Sequence, residues 1–168
     1  MNEKELKEEI KALDQKASTN KLVWRQLTDS DWETLKSWWA AWPDWPVPPA
    51  KDFLPQDGKG GIMIEKDKRP IVAGFLYQTN SKGILLEWII SDPDYRDADR
   101  DTAVEMLISQ AEQISINMGY KYMFTIGRNP DLTKKHEKLG WSVDKKPSYE
   151  IAKVISGPGS KGYKPNNK

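Results

Sequence analysis

Apolar residues along this chain alternate between helical and strand-like spacing. Leu6, Ile10, Leu13 and Ala17 recur at intervals of four, three and four within a Lys- and Glu-rich segment, which predicts a helix with a narrow apolar stripe over residues 1 to 17. Leu22 to Leu27 reads as a short strand. Asp29 or Ser30 then caps a helix whose apolar positions are Trp32, Leu35, Trp38 and Trp39. Pro43, Pro46, Pro48 and Pro49 break that helix, because proline lacks an amide donor and its ring crowds a helix interior; residues 42 to 49 therefore form a stiff aromatic loop. Strand signals follow at Gly61 to Glu65, Ile71 to Gln78 and Ile84 to Ile90, separated by polar turns at Lys66 to Arg69 and Thr79 to Gly83: an antiparallel meander. Val104, Leu107, Ala111, Ile114 and Met118 return to helical spacing over residues 100 to 118, with Gly119 as the stop.

Tyr120 to Ile126 reads as a fifth strand. Residues 129 to 141 then carry a complete set of helix signals, with Asn129 as N-cap, Pro130 at the first turn and Gly140 as a left-handed stop. Further strands are expected near Trp141 to Val143 and Tyr149 to Ile155. The Gly-, Pro-, Ser-, Asn- and Lys-rich tail from Ser156 to Lys168 has too little apolar surface to order itself and is expected to be flexible. The predicted class is α+β: a mixed, mostly antiparallel sheet flanked by helices, since the helix before the fifth strand permits one parallel pair. The organisation is a charged N-terminal helix over 1–20, a domain over 21–155 and the tail over 156–168.

Composition narrows the function classes. The chain has 168 residues, 38% hydrophobic and 30% charged, enough for one core. Its 26 basic and 25 acidic residues give a net charge of +1, which argues for neither nucleic acid nor an anionic membrane as partner. With no cysteine and one histidine, a metal site is not expected. The charged N-terminus and the absence of a long apolar run imply neither a signal peptide nor a membrane span, so a soluble cytoplasmic protein is expected.

Candidate chemistry gathers at a few positions. His136 falls on the apolar face of its helix with Leu132 and Leu139, which suits either a core histidine or a proton-transfer group facing the body of the protein. Glu87 interrupts the apolar run Ile84 to Ile90, where a carboxylate is costly unless paired or wet. Six of the eight tryptophans lie between Trp24 and Trp45.

The order of elements, together with Ser91-Asp92-Pro93-Asp94-Tyr95-Arg96 and Asn129 through Trp141, resembles the GNAT superfamily of N-acetyltransferases over roughly residues 22 to 155. The resemblance implies transfer of an acetyl group from acetyl-CoA to a primary amine on a small molecule or protein. It makes Glu87, six residues before Pro93, the general base and sets His136 at the family's tyrosine as general acid. It also assigns Ile89, Ile90, Arg96, Arg100 and Asn129 to coenzyme A, and Trp39, Trp42 and Trp45 to the acceptor, with cation–π attraction to its ammonium. One departure stands out. The pyrophosphate loop of the family is glycine-rich, whereas here Asp97, Asp99 and Asp101 occupy glycine positions, where their carboxylates would repel an anion and cap the helix amides themselves. The alternative is a non-catalytic GNAT-fold subunit of a larger assembly with a decayed cofactor site, docking through its N-terminal helix or tryptophan loop.

Overall fold

A computed structural model describes residues 2–19, 21–43, 48–127, 129–146 and 148–155, and of residues 12–19 the backbone alone. Trp45 and the segment 156–168, expected respectively to bind the acceptor and to be flexible, lie outside the described residues. The elements run α1 (Glu3–Thr19), β1 (Leu22–Gln26), α2 (Trp32–Ala41), β2 (Gly61–Lys66), β3 (Arg69–Tyr77), β4 (Gly83–Ser91), α3 (Arg100–Asn117), β5 (Tyr122–Phe124) and α4 (Pro130–Lys138). The strands form one sheet in the order β1-β2-β3-β4-β5, antiparallel except for the parallel β4–β5 pair. This is the mixed α+β architecture expected, with α1 preceding it.

Local signals explain the boundaries. Asp67 and Lys68, at φ +50 and +64, form the two-residue turn between β2 and β3, the conformation that matches strand twist. Gly119 and Gly140, at φ +92 and +93, follow α3 and α4. Asn129 accepts a hydrogen bond from the Asp131 amide at 2.8 Å and caps α4. Arg25 on β1 forks onto both carboxylate oxygens of Asp31 at 2.8 Å and reaches Glu65 on β2 at 2.9 Å, tying the start of α2 to the sheet.

The sheet separates two apolar layers. On one side Leu35, Trp38 and Trp39 of α2 pack on Met63, Ala73, Phe75 and Ile90. On the other, Ala103, Leu107, Ile108 and Ala111 of α3 pack on Ile64, Val72, Leu86 and Ile89.

The strands expected near Trp141 to Val143 and Tyr149 to Ile155 do not form. Described residues in those stretches carry no ladder, and Tyr149, Ile151 and Ile155 are exposed. Apolar alternation makes a strand only when a neighbouring edge completes its hydrogen bonds. Here β5 has three residues, and Trp141 packs against His136 instead.

Candidate functional site: the split between β4 and β5

β4 and β5 pair only at Gly83–Tyr122, Ile84–Met123 and Leu85–Phe124. β4 continues to Ser91 while the other chain turns away toward α4, so the sheet opens. A cavity of about 590 Å³ fills the opening, walled by Trp42, Phe53, Tyr77, Leu85, Glu87, Trp88 and Ile89 on one side and by Thr125, Ile126, Asn129, Pro130, Leu132 and Glu150 on the other. Its size suits a small-molecule site.

A bulge shapes the β4 wall. Ala73 and Phe75 on β3 face Ile90 and Glu87 on β4, so three steps of β4 oppose two of β3. Trp88 absorbs the extra residue at φ +56, a conformation costing an L-residue about 1–2 kcal/mol. Consequently Leu86 and Ile89 point to the α3 layer, whereas Trp88 joins Ile90 on the α2 side. Opposite the bulge stands Gly74, where a Cβ would crowd Ile89, Leu86 and Leu107 at 3.2–3.3 Å.

Glu87 borders the cavity, and its Oε1 accepts a hydrogen bond from the Ile126 amide at 3.0 Å across the split. His136 does not join it. The imidazole is buried beside Trp141, its Nδ1 donates to the Leu132 carbonyl at 2.8 Å, and Nε2 meets no hydrogen-bonding partner among the described residues. His136 is not among the lining residues, although Leu132, one turn earlier on α4, is; the imidazole packs on Trp141, in the layer that Leu132 and Leu139 share with α3.

The tryptophans divide similarly. Trp39, assigned to the acceptor, is fully buried and stacks on Phe75, so it lies in the core behind the site. Trp42 does line the cavity, with its Nε1 donating to the Ser91 carbonyl at 2.8 Å. Ile89 and Asn129 line it too, but Ile90 places its side chain in the α2-side core. Phe53, Tyr77, Trp88 and Glu150 were not expected there. For Trp88 a signal existed, since Leu86-Glu87-Trp88-Ile89-Ile90 breaks strict alternation.

Beyond the cavity, the start of α3 resolves the question of the acidic loop. None of residues 96–101 has a positive φ, so aspartate at the glycine positions is unstrained. Asp99 occupies the N-cap position without capping: its carboxylate accepts from the Tyr95 hydroxyl at 2.6 Å and from Lys66 Nζ at 2.9 Å. These two bonds hold the Asp99 carboxyl below the usual range. Burial, followed by the Asp99 carboxylate, raises the Tyr95 phenol, so it remains a donor. Asp101 pairs with Lys135 at 3.2 Å. Asp99 therefore does not cap the helix as expected, and Asp99 and Asp101 each have a lysine partner. Arg96 and Arg100 meanwhile lie over the Trp42 ring, 5.9 and 5.5 Å from its centroid, and Arg100 donates to Ser91 Oγ at 3.2 Å.

No protein-family model and no curated protein matches the sequence. Solved structures share its fold. N-acetylglutamate synthase from Neisseria gonorrhoeae, complexed with coenzyme A and N-acetyl-glutamate, superposes with a TM-score of 0.57 at 12% identity over 70% of this chain, which spans 28% of that one. The aminoglycoside N-acetyltransferase AAC(6')-Iy, in complex with a bisubstrate analogue, gives 0.57 at 17% identity over 80% of this chain and 99% of that one. Ribosomal-protein-alanine N-acetyltransferase from Brucella melitensis biovar Abortus 2308 gives 0.59 at 16% identity, over 79% of this chain and 99% of that one. At such identities the likeness is one of fold, and the chain has the GNAT N-acetyltransferase fold.

Proposed function

We propose that the protein transfers an acetyl group from acetyl-CoA to a primary amine bound in the β4–β5 cavity. The observation that carries this reading is the splayed, bulged β4–β5 junction with Glu87 at its wall. Structures of the same fold in complex with coenzyme A support it.

The residues fit an anionic co-substrate. Arg96 and Arg100 stand at the start of α3, where helix amides and the macrodipole add to their charge, and two of the loop aspartates, Asp99 and Asp101, are held by Lys66, Tyr95 and Lys135. When bound, acetyl-CoA would supply an acyl thioester: as the acceptor nitrogen bonds to the acyl carbon and the C–S bond breaks, the second proton lost by nitrogen would pass to the departing thiolate, about pKa 8.5 for an ordinary thiol, so a separate acid at position 136 is not required. Glu87 attracts the acceptor ammonium and takes its proton, directly or through one water, as the nitrogen becomes nucleophilic. Its bond to the Ile126 amide orients the carboxylate and bridges the two sides of the split. Trp42 joins the two regions, one side in the cavity wall and its ring beneath the guanidinium groups.

The test is calorimetry of acetyl-CoA binding by the full chain, together with release of free thiol in the presence of an amine panel. Binding and amine-dependent thiol release are expected. Absence of acetyl-CoA binding at moderate salt overturns the reading in favour of a non-catalytic protein.

A further inference from the structure

We propose that the acceptor carries its amine on a flat, apolar, unsaturated body, an arylalkylamine in chemical class, and that Trp88, Phe53 and Tyr77 select it. This rests on reading the cavity as an amine site. The first observation is the Trp88 backbone. A bulky residue at φ +56 persists only where its surroundings over-determine it, and strain of this kind clusters at ligand sites. Its effect is specific: it turns the indole to the α2 side of the sheet, beside the cavity and next in sequence to Glu87. On a regular strand the residue after Glu87 would point to the α3 layer.

The second observation is that the lining rings are fixed by one another. Trp39 meets Trp88 edge to face from the core side, with centroids 6.3 Å apart at 86°. Phe53 meets Trp88 at 6.2 Å and 87° and Tyr77 at 6.4 Å and 60°. The Tyr77 hydroxyl donates to the Phe53 carbonyl at 3.0 Å, tying the outermost ring to the sheet. Such a slot keeps its shape without a ligand, which lowers the ordering cost of binding a rigid flat body. Phe53 is nevertheless 54% exposed, so apolar ring surface remains for a ligand to cover. An aromatic ligand gains from both that area and ring–ring geometry, whereas an extended polycation must desolvate an ammonium for each cation–π contact it makes.

The experiment compares 2-phenylethylamine, n-butylamine and spermidine by calorimetry on the full chain, with and without coenzyme A, and as acetyl acceptors. Phenylethylamine should bind roughly tenfold tighter than either aliphatic amine, the size of effect one ring contact supports. Phe53→Ala removes an exposed ring and should lose roughly that factor. Trp88→Gly, whose backbone conformation glycine favours, should lose at least as much while the far-UV circular dichroism is unchanged. Equal or tighter binding of an aliphatic amine, binding of none of the three, or unchanged affinity in Phe53→Ala overturns the proposal. The two readings fail separately. Phenylethylamine binding without acetylation of any amine defeats the transferase reading alone, and acetylation of spermidine but not phenylethylamine defeats this one alone.

Discussion

Glu87 on β4 accepts a hydrogen bond from the backbone amide of Ile126, 39 residues later, at 3.0 Å across the gap between parting strands. One carboxylate therefore both faces the cavity and clasps its two walls. Glu87→Gln separates these roles, because the amide oxygen can still accept from Ile126 while the base is lost. Turnover should fall by roughly 10²–10⁴, the range for a positioned general base, with little change in thermal midpoint. Initial rates at saturating acetyl-CoA and amine, read beside the unfolding midpoint, check this.

Arg100 lies over Trp42 and donates to Ser91 Oγ, at the start of α3, where the proposed function places the pyrophosphate. Arg100→Gln should weaken acetyl-CoA binding by roughly tenfold, as expected for loss of one charge-assisted contact. Its affinity should also depend less on salt than that of wild type. Calorimetry at low and high ionic strength reads both effects, and an unchanged salt slope would place the phosphates elsewhere.

The Arg25–Asp31 fork predicts a pH dependence of stability. Burial alone would raise the Asp31 carboxyl, but the Arg25 hydrogen bonds and the Thr28 amide outweigh it, and its pKa is lowered in the folded protein. A lowered folded-state value means that the stabilisation is fully present above the unfolded pKa, near 3.9, and is lost as pH falls through the folded one. Asp31→Asn should cost about 2 kcal/mol at neutral pH in urea unfolding. The difference from wild type should close only well below pH ~4.

Gly61 is a packing requirement. A Cβ there would lie 2.1 Å from the Gly74 carbonyl oxygen, a backbone atom that cannot rotate away. Gly61→Ala should destabilise by on the order of 3 kcal/mol, seen as a lower thermal midpoint. Because Gly74 faces the bulge, the same change should also weaken amine binding.

Element positions were legible because their signals act over a few residues. Asn129 and Pro130 begin α4, Gly119 and Gly140 stop two helices at positive φ, and the polar residues after Lys66 turn the chain. The burial of His136 was legible for the same reason, from Leu132 four residues before it and Leu139 three after. Its absence from the cavity lining was not, since the packing of α4 beside α3 decides how that face is set. Local alternation over Tyr149 to Ile155 likewise suggested a strand, but a strand exists only where another edge accepts its hydrogen bonds. The loop aspartates looked repulsive in sequence because Lys66, Tyr95 and Lys135, which hold two of them, are assembled around them only by folding. The sequence by itself thus determined the periods, the cap of α4 and the α+β order, whereas α2 starts after Asp31 rather than at the expected Asp29 or Ser30. The cavity, the Glu87–Ile126 clasp and the ring of Trp88 beside it were decided by tertiary structure, because each depends on strands that part and pair over distances local preference does not reach.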